Sequence, residues 1–259
     1  MEFLTIFLSS LIGLVSPTGL VVDRLAEQNI RAQFVAIEQL QVRVDNAPNY
    51  QLLGGKVDRV RVAGRGLFPV KEFRLETLEL ETDAIALQRR GGRFKLEQPI
   101  QAGVRLVIRP EDINQALRSP TVSTRLRNLG IQLLRRREAQ QIERYDILNP
   151  QMTFLSDRRV RLQVELQEQG YPEKLTIVAE AEPQIIAGRS LQLANLVILI
   201  NNQPAPQPIV SAIADGITNR LDLRQLEKSQ ITARILNFQI NPNQLQIAAF
   251  VQIRPEPKK

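Results

Sequence analysis

"KVDRVRVAGRGLFP", residues 56–69, is the stretch whose reading decides the fold. Val60 and Val62 fall on one side of an extended chain; Arg59, Arg61 and Arg65 fall on the other. That two-residue period is the signature of a strand with one buried and one wet face. Gly64 and Gly66 follow at once and predict a bend or bulge, since glycine inside a strand marks curvature. The same alternation recurs along the chain. Leu40, Val42 and Val44 alternate with Gln41, Arg43 and Asp45. Ile100, Ala102, Val104, Leu106 and Ile108 share a side, as do Val160, Leu162, Val164 and Leu166. Leu175, Ile177, Ala179 and Ala181 follow, and two more strands run over 231–240 and 245–253. "FRLETLELET" (73–82) shifts its apolar side from Phe73 and Leu75 to Leu78 and Leu80, which predicts a bulge. "LVILI" (196–200) is apolar on both parities and predicts a strand covered on both faces.

Helices are few. Val22, Ala26, Ile30 and Phe34 are spaced by four and predict an amphipathic helix within 20–34. "RPEDINQALRS" (109–119) places Pro110 at a first helical position with Glu111 and Asp112 in the first turn, where they suit the helix dipole. Ser119–Pro120 reads as a cap and a new start, with Val122, Leu126 and Leu129 as its stripe up to Gly130. "NNQPAPQP" (201–208) reads as a loop or hinge. After it, Ile209, Ile213, Ile217 and Leu221 give a helix with one aliphatic edge. Many bent amphipathic strands and few helices make this α+β, a curved antiparallel sheet wrapped around helices. No linker beyond the Pro-rich loop is present, which favours one domain.

Composition excludes much chemistry. The chain has 259 residues, 43% hydrophobic and 24% charged, with no Cys, His or Trp. Disulfides, thiolate and imidazole metal sites and His-based acid–base catalysis are absent with those residues. No metal or cofactor is expected. No G-x-S-x-G elbow occurs, and Asp112, Asp157 and Asp215 have ordinary structural places. The net charge of +7 favours anionic partners. Nucleic acid is not expected, because the 5% of aromatic residues are not interleaved with the basic runs and no known motif occurs.

"FLTIFLSSLIGLV" (3–15) is uncharged and apolar. It is short of the roughly 20 residues that span a bilayer, and it lacks a basic n-region and an A-x-A site. Three readings stay open: an anchor through Phe3, Phe7, Leu8 and Leu11, a signal, or a helix buried in the core. Residues 1–16 are therefore set apart as an anchor- or signal-like segment, 17–255 as one domain and 256–259 as a frayed tail.

"NAPNYQLLGGKVDRVRVAGRGLF", "IQAGVRLVIRPEDINQALRSP" and "LDLRQLEKSQITARILNFQINPNQLQIAAFVQI" together resemble the LmeA-like phospholipid-binding proteins, of the type common in cyanobacteria. The resemblance runs from about Leu20 to Ile253. It implies an elongated fold like that of tubular lipid-binding modules, non-catalytic phospholipid binding with lipid transfer as an open role, and a place in the cell envelope against an anionic membrane. It carries no catalytic residues. On that reading an apolar groove is lined by Val60 and Val62, by Val104, Leu106 and Ile108, by Val160, Leu162 and Val164, and by the helix edge Ile209–Ile213–Ile217. Arg59 and Arg61, Arg135, Arg136 and Arg137, and Arg158 and Arg159 are candidates for an anionic surface, with Glu76, Glu79, Glu81, Glu138 and Glu143 available to balance them. The competing reading is a basic nucleic-acid or structural interaction protein with a filled core.

Overall fold

The computed structural model describes residues 22–46, 55–90, 93–122, 124 and 144–255. Strand dominates among the described residues, neighbouring strands run antiparallel, and the helices are short, as α+β requires. The chain divides into two compact units. One takes the residues up to Val107, Leu223–Asn237 and those from Gln246 on; the other takes Ile108–Asp222 and Phe238–Leu245.

In the first unit, α1 (Val22–Arg31) is the predicted amphipathic helix. Ala26, Ile30 and Phe34, spaced by four, are all buried. The strands are β1 (Ala36–Asp45), β2 (Lys56–Val57), β3 (Arg59–Val70), β4 (Phe73–Thr82), β5 (Ile85–Arg90), β6 (Arg93–Leu96) and β7 (Ile100–Ile108). Most of β13 (Ile231–Asn241) and β14 (Gln244–Ile253) joins them after a 3₁₀ turn over Leu223–Ser229, while their connected ends, Phe238–Leu245, count with the second unit. The main sheet has the order β1-β3-β4-β7-β14-β13, and β2-β5-β6 form a smaller one. Val42 lies opposite Val62 and Val44 opposite Val60, so the alternation of two strands stacks on one face. Val60, Val62, Leu78, Leu80, Ile100 and Ala102 are buried there.

Gly66 supplies the bend at φ +59, but no residue is gained. Arg65 still pairs with Thr77 and Leu67 with Leu75, in step with Gly64 and Leu78. Both strands change their buried parity together across Gly66, so the expected bulge in 73–82 is a shared change of face. The register shift of this hairpin lies nearer its tip, between Leu67 and Val70. Gly64 makes room for the turn: a methyl there would come within 2.8 Å of the Leu67 Cδ2.

The second unit opens with α2 (Pro110–Leu117), whose first helical residue is Pro110 and whose first turn holds Glu111 and Asp112. Val122 N–H donates to Ser119 Oγ at 3.2 Å, the cap expected there. Leu126, Leu129 and Gly130 lie outside the described residues. β8 (Tyr145–Phe154), β9 (Val160–Glu168), β10 (Lys174–Ile186), β11 (Ser190–Ile200) and β12 (Gln203–Pro204) form one sheet in the order β12-β11-β10-β9-β8. α3 (Gln207–Arg220) follows and packs along β11.

Two expectations change here. The "NNQPAPQP" segment is pinned, not a hinge. Asn201 (φ 48) and Asn202 (φ 63) form a two-residue hairpin turn of the kind that needs positive φ at both positions. β12 pairs back onto β11, and Asn201 exchanges two hydrogen bonds with Thr176, at 2.9 Å from its N–H and 2.8 Å to its Oδ1. The "LVILI" strand is covered on one face only: Ile198 is buried while Val197 is 48% exposed. α3 packs along this strand.

Candidate functional site

The sheet of the second unit gathers apolar side chains on one face in rows that cross strands. Leu162 pairs with Met152 and with Ala179, and Ala179 pairs with Ile198. Val164 pairs with Ile177, which pairs with Ile200. Val160 pairs with Phe154 and Ala181, and Leu166 with Ile147 and Leu175. Directly opposed residues share a face, so four strands present one continuous aliphatic surface. Phe154, Ala181 and Ile198 are buried within it. Val160, Leu162, Val164, Leu166, Leu175, Ile177 and Ala179 are only half-buried. In the first unit the matching positions Val60 and Val62 are closed over completely.

β8 was not legible in the sequence, although it supplies Ile147, Met152 and Phe154 to this surface. Asn149–Pro150 interrupts it and reads as a breaker. In the fold, Asn149 takes φ 49 and the register with β9 shifts between Leu148 and Gln151. That bulge rephases the strand, so that Ile147 and Met152 face the same side despite opposite parity. Proline is tolerated because β8 is an edge strand. The signal that would have found it is the pair of short apolar groups flanking the Asn–Pro step.

The opposite face carries ion pairs beside the apolar Val178, Val197 and Leu199. Arg161 hydrogen-bonds Glu180, Arg159 meets the same carboxylate at 2.8 Å, and Lys174 meets Glu165 at 2.9 Å. Glu165 is held below the usual carboxylate range, first by the hydrogen bond from Lys174 and then by that from Asn149. Arg158, at φ 63 in the β8–β9 turn, reaches Glu182 only at 3.5 Å.

Two helices flank the apolar face. On α3, Ile209, Ile213 and Ile217 are half-buried, and the buried residue is Val210, one position off the predicted edge. Leu221 ends 50% exposed. α2 abuts the outer edge of β8, where Asn114 bonds both backbone groups of Met152.

The other candidates lie mainly in the first unit. Val104 and Leu106 of β7 are half-buried there, as is Ile108, the first residue of the second unit. Arg59 and Arg61 do not form a free basic face: Arg59 meets Glu81 at 3.1 Å, and Arg61 meets Asp45 at 3.2 Å and Glu81 at 3.6 Å. Arg105 likewise meets Glu79 at 3.0 Å. The Arg61–Glu81 and Arg105–Glu79 pairs wall a trough of about 820 Å³, which Ala63, Gly103, Leu236 and Ala248 also line. An acyl chain laid there would cover ion pairs and strip them of water without replacing it. The β8–β11 face asks no such desolvation. Arg135, Arg136, Arg137, Phe3, Phe7, Leu8 and Leu11 lie outside the described residues.

Among the described residues no helix is long and apolar enough to cross a membrane, and no three carboxylates are grouped to hold a metal ion. Asp157 and Asp215 are exposed, and Asp112 is buried at the start of α2. No curated protein and no solved structure matches the chain. A family model described as LmeA-like phospholipid-binding matches residues 15–250, a span that takes in both units. The apolar, half-covered sheet is the kind of surface such a description calls for, and the chain belongs to the LmeA-like phospholipid-binding family.

Proposed function

We propose that the protein holds phospholipid acyl chains against the apolar face of β8–β11, between α2 and α3, and performs no chemistry of its own. The observation that carries this reading is the half-burial of Leu162, Val164 and Ile177 in a sheet whose other face carries ion pairs. A protein core would close over such a surface, as it does over Val60 and Val62. Each methylene of lipid that covers it contributes about 0.8 kcal/mol, so shape and area suffice without a polar anchor. The lack of His and Cys and the scattered placing of Asp112, Asp157 and Asp215 favour a binder over an enzyme.

On this proposal the protein works at an anionic membrane of the cell envelope, with lipid transfer as its task and residues 1–16 as its tether. The charge of +7 supports that partner. The pairing of Arg59, Arg61 and Arg105 with carboxylates weighs against nucleic acid on the first unit, since phosphate binding needs cations not already neutralised.

Native mass spectrometry of purified protein tests the proposal. Wild type should carry phospholipid, and Leu162→Asp or Ile177→Asp should lose it while keeping a native circular-dichroism spectrum. Lipid retained at the wild-type level in both folded variants would sink the assignment. Val60→Asp is the contrast, and it should fail to fold.

A further inference from the structure

The apolar face of the second unit's sheet is not covered evenly along its length. Ala205 N–H donates to the Ile198 carbonyl at 2.8 Å, two residues before α3 begins, and Asp222 bridges to Ser190 two residues after it ends. α3 therefore accompanies β11 from the level of Ile198 to that of Ser190 and no farther. At the other flank α2 holds Met152 through Asn114. Met152 and Ile198 fall in one row, joined through Leu162 and Ala179. The buried members of the face lie in this row and in the next one toward Phe154: they are Ile198, Ala181 and Phe154. The rows on its other side, Val164–Ile177–Ile200 and Ile147–Leu166–Leu175, have no buried member. The face is shut at the Phe154 end and open at the Leu166 end.

At the open end the pattern continues for one more pair. Tyr145 lies opposite Glu168, two residues beyond Ile147 and Leu166, so both take the apolar side, and both are half-buried. Gln167 and Lys174 pair on the other side, where Lys174 meets Glu165 at 2.9 Å. Among the described residues of this end, Arg144 and Lys174 stand against Asp146, Glu165, Glu168 and Glu173, so carboxylates outnumber cations.

An acyl chain gains most where protein covers it, and a charged headgroup must stay where the cover stops. The apolar rows end here on a carboxylate beside a phenol. A carboxylate repels an anionic headgroup and accepts a charge-assisted hydrogen bond from an ammonium, whereas a trimethylated amine has no N–H to give. The Tyr145 hydroxyl is a donor and suits the adjoining phosphate. We infer that the bound phospholipid lies with its chain ends toward Phe154 and its headgroup at Tyr145 and Glu168, and that the preferred headgroup ends in a primary amine, as in phosphatidylethanolamine. The inference rests on the lipid-binding reading above and adds to it the direction of the ligand and the class of its headgroup.

The purified full chain is incubated with vesicles of equal parts phosphatidylethanolamine, phosphatidylglycerol and phosphatidylcholine and separated from them, and its lipid is extracted and counted by mass spectrometry. Wild type should take up phosphatidylethanolamine about fivefold over either competitor, the scale of one hydrogen bond to a charged group. Glu168→Gln should take up the three alike, and Glu168→Arg should favour phosphatidylglycerol. Uptake by wild type without that enrichment, or enrichment that survives in both variants, overturns the headgroup assignment and leaves the binding face standing. No uptake by wild type overturns the face and this inference with it. Direction is read separately. The chain has no Trp, so Leu166→Trp places a single fluorescent reporter at the open end and Val160→Trp one at the shut end. Phosphatidylethanolamine brominated near the carboxyl end of its chains should quench Leu166→Trp the more, and the same lipid brominated near the chain ends should quench Val160→Trp the more. The reverse order at either position overturns the direction, and Leu166→Trp alone decides it if Val160→Trp does not fold.

Discussion

The side chain of Asn114 stands in for a neighbouring strand: its Nδ2 donates to the Met152 carbonyl at 2.9 Å, and its Oδ1 accepts from the Met152 N–H at 2.6 Å. The edge of the sheet at β8 is thus stopped by an amide borrowed from α2. Asn114→Ala leaves both backbone groups without these partners, and each such loss in a partly buried place costs about 1–3 kcal/mol. Urea denaturation should show a destabilisation in that range. Asn114→Asp, which keeps the acceptor and loses the donor, should fall between the variant and wild type.

Acid should bring wild type and Arg74→Met together. Arg74 binds Glu38 at 2.9 and 3.0 Å, and that hydrogen bonding holds the Glu38 carboxyl below its ordinary value of 4.5. The unfolded chain therefore takes up the proton first as pH falls. The stability contributed by the pair is present above the ordinary value and is lost as pH drops through the lowered one. Melting curves should show a gap between the two proteins at neutral pH that closes on acidification. A gap that widens in acid would contradict the pairing. High salt should narrow it at neutral pH as well, because Glu38 is exposed.

Two glycines should respond in opposite ways. At Gly66, φ is +59 and an added methyl would collide with the Glu38 carboxyl group. Gly66→Ala should destabilise by about 1–3 kcal/mol from backbone strain alone, and it should also displace Glu38 from Arg74. Adding Glu38→Ala should recover the steric part and leave the backbone part. Gly103 has open space above it, so Gly103→Ala should stay within about 0.5 kcal/mol of wild type.

Enlarging α3 should tell a lipid-facing position from a core one. Ile213 is half-buried and Val210 is buried. Val210→Phe should destabilise by about 1–3 kcal/mol through overpacking. Ile213→Phe should leave the melting temperature near wild type and lower the lipid that co-purifies. If Ile213→Phe instead lowers the melting temperature and leaves lipid unchanged, α3 is core and the lipid lies elsewhere.

What the sequence made legible was local and periodic. Ala26, Ile30 and Phe34 announce α1 because a helix returns to the same side every fourth residue. Val60 and Val62 announce β3 because a strand alternates, and the Ser119 cap is chemistry within three residues. What stayed hidden depends on partners far along the chain. Whether Arg59 and Arg61 are free cations depends on Glu81 lying across from them, and whether Val197 is covered depends on which side α3 takes. The candidate face was legible in β9 and β10, whose aliphatic residues keep strict alternation. It was invisible in β8, where one bulge breaks the period. Periodicity also could not tell Val60 from Val164, since alternation reports that a face is apolar and not what covers it.

The place of β14 in the main sheet has a consequence for how the protein is made. β7 lies between β4 and β14, and the bond from Arg105 Nη2 to Gln246 Oε1 at 3.3 Å joins positions 141 residues apart. A ribosome adding about 5–20 residues per second needs on the order of ten seconds to deliver the second neighbour of β7 after the first. Through that interval the growing polypeptide carries a strand with one row of N–H and C=O groups unclaimed, the state most prone to pairing with another nascent chain. Slower synthesis lengthens that exposure, and factors that shield emerging strands cover it.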